Sequence, residues 1–173
     1  MNKLIFEKIT FVNLKHKELK KVFKKDGLFL FPSAPGLASI FNEKKYHNSL
    51  QKADLVFFDS SFFILLLKLF KNISPIRVSG YKFLELFFNF LRKNKKSKIF
   101  LIDPSKKKSV NNKLLINKLG VKNNKIFSFV APFYNPNNLN DKNLLKYIHK
   151  FKPNVILINI GGGTQEILGN YLK

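Results

Sequence analysis

The chain contains no cysteine and no tryptophan, and one methionine, in 173 residues. Without thiols it has neither disulfides nor thiolate metal sites. Acidic residues are scarce: 10 Asp and Glu stand against 32 Lys and Arg, a formal net charge of +22. Histidine is scarcer still. His16, His47 and His149 stand apart and form neither an H-x-x-x-H nor an H-E-x-x-H pair, so no metal site is expected. No G-x-S-x-G elbow is present, which excludes that kind of serine nucleophile, and no Walker A glycine loop is present. Nothing calls for a cofactor. The longest apolar stretches, Phe62 to Leu67 and Phe83 to Phe90, fall short of the ~20 residues of a membrane span. The first residues, Met1 to Glu7, hold no long apolar region of the signal-peptide kind, and a cytoplasmic protein is the expectation.

What is present is core. Hydrophobic residues make up 45% of the chain, enough for one sizeable domain over residues 1–173. The positive surface attracts polyanions: nucleic acid, anionic lipid or phosphorylated substrates. All but Arg77 and Arg92 of the basic residues are lysines, which suit diffuse attraction better than base readout. The abundance of Lys, Asn, Phe and Ile is also what an AT-rich genome produces. The runs Lys20-Lys21, Lys93 to Lys98 and Lys106-Lys107-Lys108 read as solvated faces. The phenylalanines cluster inside apolar runs and read as core, so no specific nucleic-acid partner is expected.

Strand-like and helix-like segments alternate. Leu28 to Phe31, Asp54 to Phe58, Lys98 to Ile102, Lys125 to Val130 and Asn154 to Ile160 read as strands. Helices are predicted over about Gly36 to Leu50, Phe62 to Phe70 behind Asp59-Ser60-Ser61, Gly80 to Leu91, a lysine-rich stretch ending at Leu119 before Gly120, and Asp141 to Lys150. Leu4 to Val12 adds a short strand or hairpin before a helix from His16 to Phe23. The alternation predicts an α/β fold, a Rossmann-like parallel sheet with helices on both faces.

Ligands of such sheets bind past the strand carboxyl ends. There the run Val155 to Ile160 stops at Gly161-Gly162-Gly163-Thr164-Gln165-Glu166, with Gln165 and Glu166 at a helix N-terminus. The loop does not match G-x-G-x-x-G, and a tight strand-to-helix turn is the simpler reading. Asp59 leaves a buried strand and is the best general-base candidate; an N-cap, worth ~1 kcal/mol, is the simpler reading there too. Asp103, followed by Pro104, reads as a turn residue. Arg77, just before the helix that Gly80 opens, makes a good anion pocket or a surface ion pair.

Together these segments resemble the WecG/TagA/CpsF family of glycosyltransferases. Ala53-Asp54-Leu55-Val56-Phe57-Phe58-Asp59 looks like its A-D-L-V-x-x-D-G segment, and Ile76-Arg77-Val78-Ser79-Gly80 like its R-V-T/S-G. Ile99 to Ile102 matches its middle strand, and Asn159 to Glu166 looks like its G-x-G-x-P-x-Q-E loop. Phe31-Pro32-Ser33 sits where the family has T-x-N.

The resemblance implies metal-independent, inverting transfer of an N-acetylhexosamine-type sugar. The donor would be a UDP-sugar and the acceptor a polyprenyl-diphosphate-linked sugar, in cell-surface polysaccharide synthesis. Asp59 matches the proposed general base. Ser33, Arg77, Gly80, Gly161, Gly162, Gly163, Gln165 and Glu166 fall on substrate-binding positions. An anionic membrane surface at the inner face of the cell membrane is an implied partner, and a homo-oligomer is compatible with it.

The family's glycine after the Asp is Ser60 here, the Asp two positions beyond its R-V-x-G is Lys82, and its Pro and Lys in the last loop are Gly163 and Thr164. The glycine turn after its middle strand is Asp103-Pro104-Ser105. The family pattern also continues to a further strand and a basic, membrane-associating tail, so a chain truncated at its C-terminus is expected. Two alternatives follow: a degenerate homologue that binds nucleotide-sugar without turnover, and a basic nucleic-acid-binding protein.

Overall fold

The computed structural model describes residues 2–93, 97–122 and 125–173. Asn94, Lys95 and Lys96 of the basic run Lys93 to Lys98 lie outside the described residues. The fold is α/β and Rossmann-like, built from mostly parallel strands. The chain divides into two compact units, Met1–Glu85 with Lys173, and Leu86–Leu172.

The first unit opens with β1 (Asn2–Phe6) and β2 (Ile9–Asn13), an antiparallel hairpin turning at Glu7 and Lys8, both in the left-handed region. The helix expected from His16 to Phe23 is a 3₁₀ turn, His16–Glu18, and one short helix, α1 (Leu19–Val22). β3 (Phe29–Leu30) follows. The single helix expected from Gly36 to Leu50 is two, α2 (Ala34–Ser39) and α3 (Lys44–Lys52). Then come β4 (Leu55–Phe57), α4 (Ser61–Lys71) and the start of α5 (Gly80–Lys93). The sheet order is β1-β2-β4-β3, with β2, β4 and β3 parallel.

β4 is buried on both faces, as an apolar parallel strand should be. On one face Phe57 stacks on Phe31, ring centroids 4.7 Å apart, and packs against Phe83 of α5 at 5.3 Å. On the other, Phe58 stacks on Phe11 at 4.7 Å, and Phe63 of α4 packs against Phe11 and Phe6. Helices thus cover both faces of β4.

The second unit holds β5 (Ile99–Asp103), α6 (Lys106–Lys118), β6 (Ile126–Val130), α7 (Lys142–Phe151), β7 (Val155–Ile158) and α8 (Thr164–Leu172). Its sheet is wholly parallel, in the order β6-β5-β7. Phe100 and Ile102 pack with Leu144 of α7 and Leu168 of α8. Strand alternation turns Ile99, Leu101 and Asp103 to the other face, where α6 lies. The apolar run before the glycines, β7, is half-buried and lies at the edge of this unit's sheet. Among the described residues the strands pair within each unit, four in the first and three in the second.

Phe57 packs against the rings of Phe29, Phe31 and Phe83 and is fully buried. Phe57→Ala should cost about 3–5 kcal/mol of stability by urea unfolding; a loss of under about 1 kcal/mol would show that this cluster does not hold the unit together.

Candidate functional site

In the first unit, β2, β3 and β4 run the same way, so their carboxyl ends share one edge. Asp59 leaves β4 there. Its Oδ2 accepts a hydrogen bond from the Gly80 N–H at 3.3 Å, the first free donor of α5. Its backbone carbonyl accepts from Arg77 Nε at 2.6 Å, and Oδ1 lies 3.6 Å from the same guanidinium. That distance is an ion pair and too long for a hydrogen bond, so Oδ1 has an acceptor position to spare. The Asp59 side chain is 27% exposed and that of Arg77 54%.

Ser60 caps α4, its hydroxyl accepting from the Phe63 N–H at 3.0 Å. The N-cap is therefore Ser60, and the Asp59 carboxylate is not spent on capping. Two helices start beside this carboxylate, and both positive ends favour an anion.

The structure brings Asp59, Arg77 and Gly80 together. A Cβ added at Gly80 would lie 3.5 Å from Phe31 and 3.7 Å from Asp59 Oδ2, ordinary contact distances that place both beside it. Ser33 leaves the same sheet edge and caps α2, accepting from the Gly36 N–H at 3.3 Å. Asn13, which sequence reasoning missed, ends β2 and accepts the Ile76 N–H at 2.9 Å, pinning the segment that delivers Arg77.

In the second unit the remaining residues fall into the loop after β7 and the first turn of α8. Gly161 and Gly163 have φ of 109° and 85°, a region that side chains with a Cβ rarely adopt. Around all three glycines a Cβ would meet nothing within 4 Å, so the loop's outer side is open. Glu166 is turned inward, 2% exposed. Its Oε2 accepts the Gly163 N–H at 2.7 Å and Oε1 accepts from Gln165 Nε2 at 3.2 Å. This is the reciprocal half of a capping box at the start of α8.

Asp103 corrects an expectation: it is the fully buried last residue of β5, and not a turn residue. Its Oδ2 accepts from Ser109 at 2.9 Å, and its Oδ1 from Asn112 at 2.6 Å and Asn159 at 2.9 Å. Its carbonyl accepts the Ala131 N–H at 2.9 Å. One residue therefore ties together α6, the exit of β6 and the stem of the glycine loop. Asn159 was the available signal, a polar residue inside the run Val155 to Ile160. Beside β6 lies an open cleft lined by Phe133, Asn135, Asn138, Asn140 and Asn143, with Phe133 almost wholly exposed. Nothing in the spacing of these asparagines marked it.

No group of three His, Asp or Glu that could hold a metal occurs among the described residues. No helix among them is long and apolar enough to cross a membrane.

The chain matches the model of the glycosyl transferase WecG/TagA/CpsF family over residues 4–172. It belongs to that family. It is therefore a glycosyltransferase-family domain of cell-surface polysaccharide synthesis. A search of curated proteins finds no significant match.

Burial pushes the Glu166 carboxyl above its ordinary value of 4.5, partly offset by the hydrogen bonds from Gln165 and Gly163. The folded state thus holds this proton more tightly than the unfolded chain. Its contribution is complete below 4.5 and is lost as pH rises through the folded value. Glu166→Gln keeps an acceptor for Gly163 and carries no charge. It should exceed the wild type in stability at about pH 7 and lose that advantage by about pH 4, measured by urea unfolding; an advantage that does not shrink in acid would contradict this.

Proposed function

We propose that the chain transfers an N-acetylhexosamine-type sugar from a UDP-sugar to a polyprenyl-diphosphate-linked acceptor, at an anionic membrane surface on the cytoplasmic side. The observation that carries this reading is Asp59, held by the Gly80 N–H and Arg77 with Oδ1 left free. Oδ1 takes the proton of the acceptor hydroxyl as that oxygen attacks the anomeric carbon. The C–O bond to the acceptor forms while the bond to the UDP phosphate oxygen breaks. A single displacement of this kind inverts the anomeric centre.

Arg77, backbone N–H groups and lysines meet the phosphate charge, so no step in the reading calls for a metal. The open face of Gly161, Gly162 and Gly163 suits close approach of a diphosphate to backbone. Gln165 and Glu166 hold that loop in shape. The asparagine-lined cleft offers amide partners and an aromatic face to the rest of the donor.

Asp59→Asn should cut transfer from a UDP-sugar by at least ~10²-fold, the lower end of what a positioned base contributes, with UDP affinity and stability kept. Unchanged turnover in that variant would sink the assignment. UDP binding without turnover in the wild type would favour the degenerate homologue, a reading that Ser60 in place of the family's glycine supports.

Gly162 gives an independent check. Its φ lies outside the left-handed region and a Cβ there meets nothing, so Gly162→Ala should fold normally. Its added methyl would stand where the diphosphate approaches. UDP affinity by calorimetry should fall by about tenfold or more; full affinity would remove the loop from the donor site.

A further inference from the structure

We propose that the outer face of α4 is a docking surface for an anionic lipid bilayer, which gives the membrane-surface part of the reading above a definite location on the chain. A surface helix ordinarily turns charge outward. α4, with the sequence Ser-Phe-Phe-Ile-Leu-Leu-Leu-Lys-Leu-Phe-Lys, does not. Its inward side is complete: Phe63 and Leu67, four residues apart, are buried, and Phe63 packs against Phe6, Phe11 and Phe58. Its outward stripe is Phe62, Leu65 and Leu69, at the i, i+3, i+7 spacing of one helix face, with Phe70 beside it. These side chains are 60%, 48%, 67% and 77% exposed. α2, which packs against α4, carries no charged side chain, and the exposed Phe41 follows it. A contiguous apolar face of this kind marks an interaction site.

Charge decides the occupant. α4 carries no carboxylate, and its last turn presents Lys68 and Lys71. A second copy of a +22 chain docking here would bring these lysines together with no acid on α4 or α2 to pair them. An anionic bilayer satisfies both features. The phenylalanines and leucines enter the headgroup–acyl boundary, and the lysines snorkel to lipid phosphates.

The test is flotation of the whole chain with phosphatidylcholine vesicles, with and without phosphatidylglycerol. The wild type should float with the phosphatidylglycerol vesicles. Leu69→Glu/Phe70→Glu should bind them at least ~10-fold more weakly. Leu114→Glu/Leu115→Glu, the same charge change on exposed positions of α6, should lose no more than ~3-fold. Lys68→Glu/Lys71→Glu spares the apolar face and should lose the preference for phosphatidylglycerol. Equal losses in the α4 and α6 variants would reduce the effect to diffuse charge and overturn the proposal. So would a wild type that floats with neither vesicle, or a concentration-dependent dimer that Leu69→Glu/Phe70→Glu abolishes while vesicle binding stays intact. UDP affinity, measured alongside, should be the same in the wild type and in Leu69→Glu/Phe70→Glu. A chain that floats but binds no UDP would overturn the donor reading and leave the docking surface standing.

Discussion

Two parallel strands cannot be joined by a tight hairpin, so the chain must leave each at its carboxyl end and return through a helix. β2, β3, β5 and β6 all obey this rule. The loops at their carboxyl ends are therefore collected on one edge of each sheet, beside the N-termini of the helices that follow. Every residue assigned to the site lies on such an edge or on the segment that Asn13 pins to it. What pays for the arrangement is the burial of aromatic and aliphatic side chains on both strand faces: Phe57 and Phe58 in one unit, Phe100 and Leu101 in the other.

The helix starts give these edges their chemistry. Each leaves N–H groups without intrahelical partners. At α5 one of them is taken by Asp59. At α8 the Gly163 N–H is taken by the helix's own Glu166, which closes the inner side of the loop and leaves its glycines open outward. A carboxylate with a free acceptor and a loop with an open backbone face are chemically different tools.

Much of this could be read in the sequence. The element order was legible, because buried parallel strands show as short apolar runs and Ser60, Ser105 and Asp141 announce the helices that they cap. The break between α2 and α3 was not legible: the residues from Ile40 to Glu43 hold no proline or glycine to announce it. Nor was the half-burial of β7, since edge position is a property of topology and not of the run itself. Asp59, Arg77 and Gly80, which the fold brings together, were singled out because their order along the chain carries a family pattern. Asp103 was misread, because an Asp before Pro ordinarily marks a turn. The partners that bury it, Ser109, Asn112 and Asn159, are polar residues with no spacing signature.

The central claim is that Gly161 to Glu166 receives the diphosphate of a nucleotide donor. Amide hydrogen exchange, followed with and without UDP, tests it most directly. Exchange at the backbone amides of residues 161–163 should slow on adding UDP, with little change along β1 and β2. Unchanged exchange in the glycine loop at saturating UDP would contradict it.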